Sequence, residues 1–315
     1  MNLDLKNRLS GALFGCAIGD ALGLAGEFMS RDEIAFRYPD GISSFDQTYR
    51  DSHRCQWEPG EWSNDTEINI RLLNARMDIG TFDILGLART FKDWYDENTR
   101  DMPSQYRFLF NNPEYLTEPE KVSEFVSENM GTKTASNECV VRAPFVGIFP
   151  ANPLEESARV CRLTHADTRC VCACVVIAKM AHDILWENRT PQPEEILALA
   201  ADIDERVLPY IEMAAQPTLE ALDLDDDDTY WIARKAMASA LWAVWHCDSP
   251  MQAFDAIFRE GGDVDTNAAV ALALLGLRDG IDSLPASLIE AMPDRARLET
   301  TAERLTRYIT DHFLS

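Results

Sequence analysis

The stretch Asn64–Met77, NDTEINIRLLNARM, decides the fold. Its apolar residues Ile68, Leu72 and Leu73 share one face at the 3.6-residue period of an α-helix. Working outward, Arg169–Trp186, Tyr230–Cys247, Thr266–Leu277 and Leu298–Phe313 read with the same period. Alternating strand patterns with hairpin turns are missing, and the one short apolar run, Val140–Phe149, contains Pro144 and Gly147 and reads as a loop followed by a helical turn. The expected class is therefore all-α. No Ser/Gly-rich linker or repeat divides the chain, and its chemically distinctive residues lie near positions 20, 65, 140, 165 and 265. A site gathered from points so far apart favours a single compact multi-helix domain over residues 1–315. Two stretches read as irregular. Asn98–Thr134, with Pro103, Pro113 and Pro119, is expected to make a long excursion carrying short helices. Gln216–Thr229 holds four consecutive carboxylates, Asp225 to Asp228, but a calcium loop counted from Asp223 would need Gly and Glu where Asp228 and Arg234 stand. It reads instead as an acidic surface loop leading into a helix whose N-terminus favours carboxylates.

Composition narrows the function. The 315 residues are 46% apolar and 26% charged, the profile of a globular protein with a full-sized core. Against 29 Lys and Arg stand 53 Asp and Glu, a net charge of −24, so the average surface repels nucleic-acid backbones and anionic membranes. The same field opposes an anionic small substrate unless something local reverses it. The N-terminal run from Ala12 to Ile18 is interrupted by Gly15 and closed by Asp20, too short and polar for a signal or a membrane span, which points to the cytoplasm. Eight cysteines without a secretory signal read as reduced, mostly buried thiols. Cys170 and Cys174, one helical turn apart, would suit a metal only with a second Cys/His pair, and none stands nearby.

Three segments carry chemistry. In Glu260–Gly276, EGGDVDTNAAVALALLG, Asp263, Asp265 and Thr266 open an apolar helix behind Gly261 and Gly262, which offers oxygen ligands for a hard cation or a plain N-cap. In Glu61–Glu67, EWSNDTE, Ser63, Asn64, Asp65 and Thr66 open another helix, with Asn64 and Glu67 spaced as a capping box. Two oxygen-rich helix starts could converge on shared Mg²⁺ or Mn²⁺. In Gly11–Phe28, GALFGCAIGDALGLAGEF, glycines at 11, 15, 19, 23 and 26 read as tight helix packing around a buried Asp20, and Glu27 follows where a carboxylate would project into a cleft.

These segments, with SNECVVRAP and LTHADT between them, resemble in order and separation the ADP-ribosylglycohydrolase family. The resemblance covers nearly the whole chain. It implies an all-helical domain with a binuclear Mg²⁺ or Mn²⁺ centre that hydrolyses a glycosidic bond at C1″ of ADP-ribose, releasing ADP-ribose from a modified protein side chain, by default an arginine. It implies metal ligands at Ser63, Asn64, Asp65, Asp263, Asp265 and Thr266, and catalytic carboxylates at Glu27, Asp65 and Asp263. It places Asn137, Glu138, Arg142, His165, Gly261 and Gly262 about the substrate, with Ser136 and Pro144 matching the same loop. Two positions depart from the family pattern. Asn64 stands where the family has a carboxylate, which leaves three acidic ligands and argues for one or two cations; an amide is a neutral ligand that cannot take a proton. Glu138 stands where a glycine would let backbone approach the ligand. These departures leave two alternatives open: a weakened or non-enzymatic ADP-ribose-binding or structural member, and a hydrolase of a related nucleoside or guanidino compound.

Overall fold

A helix that is apolar all round must be buried on every side, and two such helices form the centre of the molecule. In the computed structural model, which describes residues 5–97, 100 and 102–314, the principal helices are α1 (Leu5–Gly23), α2 (Asn64–Ile79), α3 (Pro153–Arg162), α4 (Thr168–His182), α5 (Ala233–His246), α6 (Pro250–Glu260), α7 (Val264–Asp279) and α8 (Arg295–Ile309). In α1 every residue from Arg8 to Gly23 is buried, and in α7 every residue from Val264 to Leu277. The five periodic segments of the sequence all fall on these helices, with ends shifted by a few residues. No strand forms among the described residues; two isolated bridges, Met29 with Gly262 and Ser136 with Ile232, are the only β-type pairings there. The architecture is all-α, and one continuous apolar core runs through all of the principal helices.

The glycine spacing of α1 has a direct structural cause. A Cβ on Gly11, Gly15 or Gly19 would lie 2.1, 2.2 and 2.5 Å from the carbonyl oxygens of Gly276, Leu272 and Ala268, and one on Gly23 would lie 2.4 Å from Asp265 Cα. The two backbones therefore run antiparallel in contact, and any larger residue on that stripe would force them apart. This contact sets the end of α1, with Glu27 just beyond it, against the start of α7. The buried Asp20 then fixes a third element: its carboxylate accepts from the backbone N–H of Ser63 at 2.9 Å, the N–H of Thr66 at 2.9 Å and the Thr66 hydroxyl at 2.6 Å. Three chain segments are thus held at one point.

The expected irregular stretches differ in detail. The proline-rich excursion contains the short helices Ser104–Phe110 and Pro119–Met130; its residues 98, 99 and 101 lie outside the described residues. The acidic loop does not lead its carboxylates to the next helix, because α5 begins only at Ala233. Asp225 instead accepts from the Arg31 backbone N–H at 2.8 Å and pairs with its guanidinium at 3.2 Å, stapling the loop to the start of the short helix Arg31–Arg37. Seven of the eight cysteines are buried, and Cys174 converges with Cys139 and Cys161, which come from elsewhere in the sequence. No helix among the described residues is long and apolar enough to cross a membrane.

Candidate active site

Helix starts and one strained turn supply the functional side chains. Gly261 and Gly262 adopt φ of +73° and +76°, and a Cβ on Gly262 would lie 2.0 Å from the Leu224 carbonyl oxygen, so the turn requires glycine. The Gly262 backbone exchanges hydrogen bonds of 2.8 Å with Phe28 and Met29, which locks the Glu27 segment beside Asp263. Ser63 is the N-cap of α2: its hydroxyl accepts from the Asp65 N–H at 3.2 Å. The predicted capping box between Asn64 and Glu67 is not formed, since Glu67 bonds Arg71 and Arg297 at 3.0 and 2.9 Å.

The result is a cleft of about 190 Å³ lined by Glu27, Phe28, Asn64, Asp65, Met102, Pro103, Asn137, Glu138, Tyr230, Trp231, Asp263, Asp265 and Thr266. Five of these are carboxylates, and none is Lys, Arg or His. Carboxylate oxygens of Glu27, Asp263 and Asp265 lie within 4.8 Å of one another, all buried. Asp263, although it is the N-cap of α7, caps nothing with its side chain; it accepts from the Asn137 amide at 2.9 Å. Asp65 Oδ2 and Asp265 Oδ1 are buried oxygens with no hydrogen-bond partner among the described residues.

Electrostatics follow from this crowding. Burial pushes the Asp65 carboxyl well above the ordinary carboxylate range, and Asp20 and Asp263 add to the rise. Burial does the same to Asp265, reinforced by Glu27, Asp263 and Asp65. Asp263 is raised by burial too, against hydrogen bonds from Asp265, Asn137 and Thr266 that partly offset it. Like charges this close and this dry destabilise one another unless a cation lies among them.

Not every expected residue reaches the cleft. Arg142 is 1% exposed and donates to the Thr164 hydroxyl at 2.6 Å, so it stands behind the wall. His165 is fully buried too; its ring meets Thr164 at 2.7 Å, Gln105 at 2.5 Å, Ser136 at 3.0 Å and Glu138 at 3.2 Å, and it does not line the cleft. Ser63, 4% exposed, sits at the N-cap beside Asp65, while Gly261 and Gly262 contribute backbone shape. Conversely, His53 is a partner of the site that no sequence pattern marks. Its Nε2 sits 2.6 Å from Glu27 Oε2, and its ring stands 5.3 Å from that of Phe28, which also meets Tyr230 at 5.6 Å. Phe28 is a non-glycine residue at φ +60° and is half exposed at the mouth. A larger groove of about 230 Å³ shares Asn64 with the cleft, but its arginines Arg71, Arg100 and Arg297 are already paired with Glu97, Glu61 and Glu67.

Comparison with known proteins adds context. The chain is 26% identical over 309 residues to the ADP-ribosylarginine hydrolase Tri1 of Pseudomonas putida (strain GB-1), covering 95% of this chain and 78% of the relative. It is 24% identical over 314 residues to the ADP-ribosyl-[dinitrogen reductase] glycohydrolase of Rhodospirillum rubrum, covering 99% and 97%. A solved structure described as an ADP-ribosylglycohydrolase-related protein complex shares the fold, with a TM-score of 0.68 at 22% identity over 97% of this chain and 99% of that one. The ADP-ribosylglycohydrolase family profile matches residues 1–313, and the chain belongs to that family.

Proposed function

We propose that this single-domain chain is a divalent-cation-dependent hydrolase that cleaves the C1″ glycosidic bond of ADP-ribosyl groups, with an arginine-linked ADP-ribosyl protein as its substrate and Mg²⁺ or Mn²⁺ as its cation. The observation that carries the reading is the cleft itself: among the described residues, five carboxylates, no cationic side chain in the lining, and two orphaned buried oxygens on Asp65 and Asp265. Such a set fits a hard cation. Asp65, Asp263 and Asp265 would hold it, with Asn64, Thr266 and the Ser63 hydroxyl as neutral oxygens of the same two helix starts. When bound, the cation supplies ribose-hydroxyl binding and water activation, and it reverses the local field so that an anionic substrate can enter a protein of net charge −24.

The chain's own residues account for the rest. Cleavage of a bond at C1″ passes through an oxocarbenium-like state, and the carboxylates around the cleft stabilise the positive charge that develops on the ribose. Asp65 or Asp263 orients the attacking water, and Glu27, buried and held by His53, exchanges a proton with the leaving group or gates it. A cleft of about 190 Å³ accepts the ribose and its linkage but not all of ADP-ribose. The remainder extends into an adjoining cavity of about 280 Å³ that shares Pro103, Glu138 and Trp231 with the cleft and is lined by Lys133, a cation for the diphosphate. Glu138 lies at that junction, and Asn137 lines the cleft beside it. Glu138 acts electrostatically on both Asp65 and Asp263, so it offsets the carboxylate lost at Asn64.

The test is release of ADP-ribose from an arginine-modified protein, lost with EDTA and regained with Mg²⁺ or Mn²⁺. A cation-replete sample with no turnover on arginine-, serine- or O-acetyl-linked ADP-ribose would overturn the reading.

A further inference from the structure

Behind the wall that carries Asn137 and Glu138 lies a second cluster that the hydrolysis does not use. Cys139 on the 3-10 segment Asn137–Arg142, Cys161 near the end of α3 and Cys174 on α4 each have 1% exposure, and their Sγ atoms all lie within 4.8 Å of one another. Cys170, one turn before Cys174, interacts with Cys139 from the other side and donates to the Ser136 carbonyl at 3.5 Å. Three thiols from three elements thus meet in a dry interior, with a fourth, Cys170, beside Cys139. A tetrahedral thiolate site with metal–sulfur bonds of about 2.3 Å has sulfurs about 3.8 Å apart, so small side-chain adjustments would close this set on an ion.

A second observation points the same way. The neighbouring Arg142 guanidinium is buried and has no carboxylate within ion-pair distance among the described residues; it rests on the Phe91 ring at 5.0 Å and its Nε has no partner. An isolated buried cation is costly unless a negative group compensates it. Neutral thiols cannot do so. Three thiolates around Zn²⁺ carry a net charge of −1 and four carry −2, and around Cu⁺ the charge is one unit more negative, next to Arg142.

We propose that Cys139, Cys161 and Cys174, with Cys170 as the fourth ligand, bind one thiophilic d¹⁰ cation, Zn²⁺ or Cu⁺, in a closed structural site distinct from the carboxylate cleft. Each ligating thiol gives its proton to solvent on binding, and no electron is transferred. Sulfur ligands select such ions, whereas the oxygen set of the cleft selects Mg²⁺ or Mn²⁺, so the two sites do not compete. The site ties α3 and α4 to the segment that presents Asn137 and Glu138, and Cys161 also reaches the His165 carbonyl at 3.4 Å.

The experiment is metal analysis of the full chain, purified without a metal-affinity step and dialysed against EDTA to clear the cleft. About one equivalent of zinc or copper per chain is expected to remain, and which of the two is found identifies the ion. The Cys139→Ser/Cys174→Ser double variant should fall to near zero, while Cys55→Ser, at the exposed cysteine, keeps it. If the double variant does not fold, the wild-type protein refolded with Co²⁺ answers the question, because only sulfur ligands give the intense near-ultraviolet sulfur-to-cobalt band. Eight titratable thiols with no retained metal and no such band would overturn the proposal, as would a disulfide among the four.

Discussion

Asp167 and Asp263 are both N-cap residues, of α4 and α7, and they are used in opposite ways. Asp167 accepts from the Arg169 backbone at 2.9 Å and from its guanidinium at 2.8 and 2.5 Å; burial would raise its carboxyl, but these bonds hold it below the ordinary range. Asp263 leaves the first amides of its helix without a side-chain cap and turns toward Asn137, Asp265 and the cleft, where burial raises it. A carboxylate that satisfies its own helix is architecture. One that neglects its helix and crowds other carboxylates is poised for a ligand that is not protein.

The sharpest way to break this comparison is to truncate both residues. Asp263→Ala is expected to lower kcat/KM for ADP-ribose release by about 10³-fold, comparable to removing a principal transition-state stabilising group, while the cation-free variant is no less stable than wild type. Asp167→Ala should do the reverse, losing about 1 kcal/mol of stability, the usual value of an N-cap, with kcat retained. Denaturant melts and steady-state kinetics on the two variants decide it. Equal losses of activity would mean that the two caps do not differ in role.

Cation binding gives the next largest effect. At a free concentration about 100 times Kd, Mg²⁺ or Mn²⁺ should stabilise the folded protein by about 2.7 kcal/mol, measured as a rise in Tm that EDTA reverses. Asp167→Ala should keep that rise and Asp265→Ala should lose it. A smaller effect separates the two family departures. Glu138→Gln is expected to weaken cation affinity about tenfold, or about 1.4 kcal/mol, and Asn64→Asp added to it should restore most of the loss. Calorimetric titration of the single and double variants reads the charge balance without reference to turnover; a Glu138→Gln variant with unchanged affinity would remove Glu138 from the account.

The helices were legible because their signal is local: Ile68, Leu72 and Leu73 repeat within one window, and the four-residue spacing of Gly11, Gly15, Gly19 and Gly23 already describes a packing face. Ser63, Asp65, Asp263 and Asp265 were legible as two helix starts, although nothing within either stretch says that Asp20 and the Gly262 turn bring them together. His53 lies in RDSHRCQW, a segment with no period and no motif, and only the tertiary contact with Glu27 marks it. Arg142 and His165 show the reciprocal limit. Polar residues in a loop suggest a ligand, but here the His165 ring meets Thr164, Gln105 and Ser136 and the Arg142 guanidinium donates to Thr164, so neither lines the cleft. The thiol cluster is invisible in sequence because Cys139, Cys161 and Cys174 come from three elements.

The mildest test concerns pH at the structural end of the comparison. Asp204 accepts from the Arg206 side chain at 2.9 and 2.6 Å, from the Thr168 hydroxyl at 2.5 Å and from the Arg206 N–H at 3.0 Å, and these bonds hold its carboxyl far below the ordinary range. A group whose pKa is depressed on folding contributes stability that is fully present above the unfolded value, about 3.9 for Asp, and is lost as pH falls through the folded value. Asp204→Asn should therefore melt below wild type at pH 7, and the gap should narrow as pH drops below about 4. Activity at pH 7 should be unchanged, because Asp204 does not line the cleft and its side chain bonds Arg206 and Thr168. A gap that stays constant down to pH 2 would show that the Arg206 pairing contributes packing rather than charge.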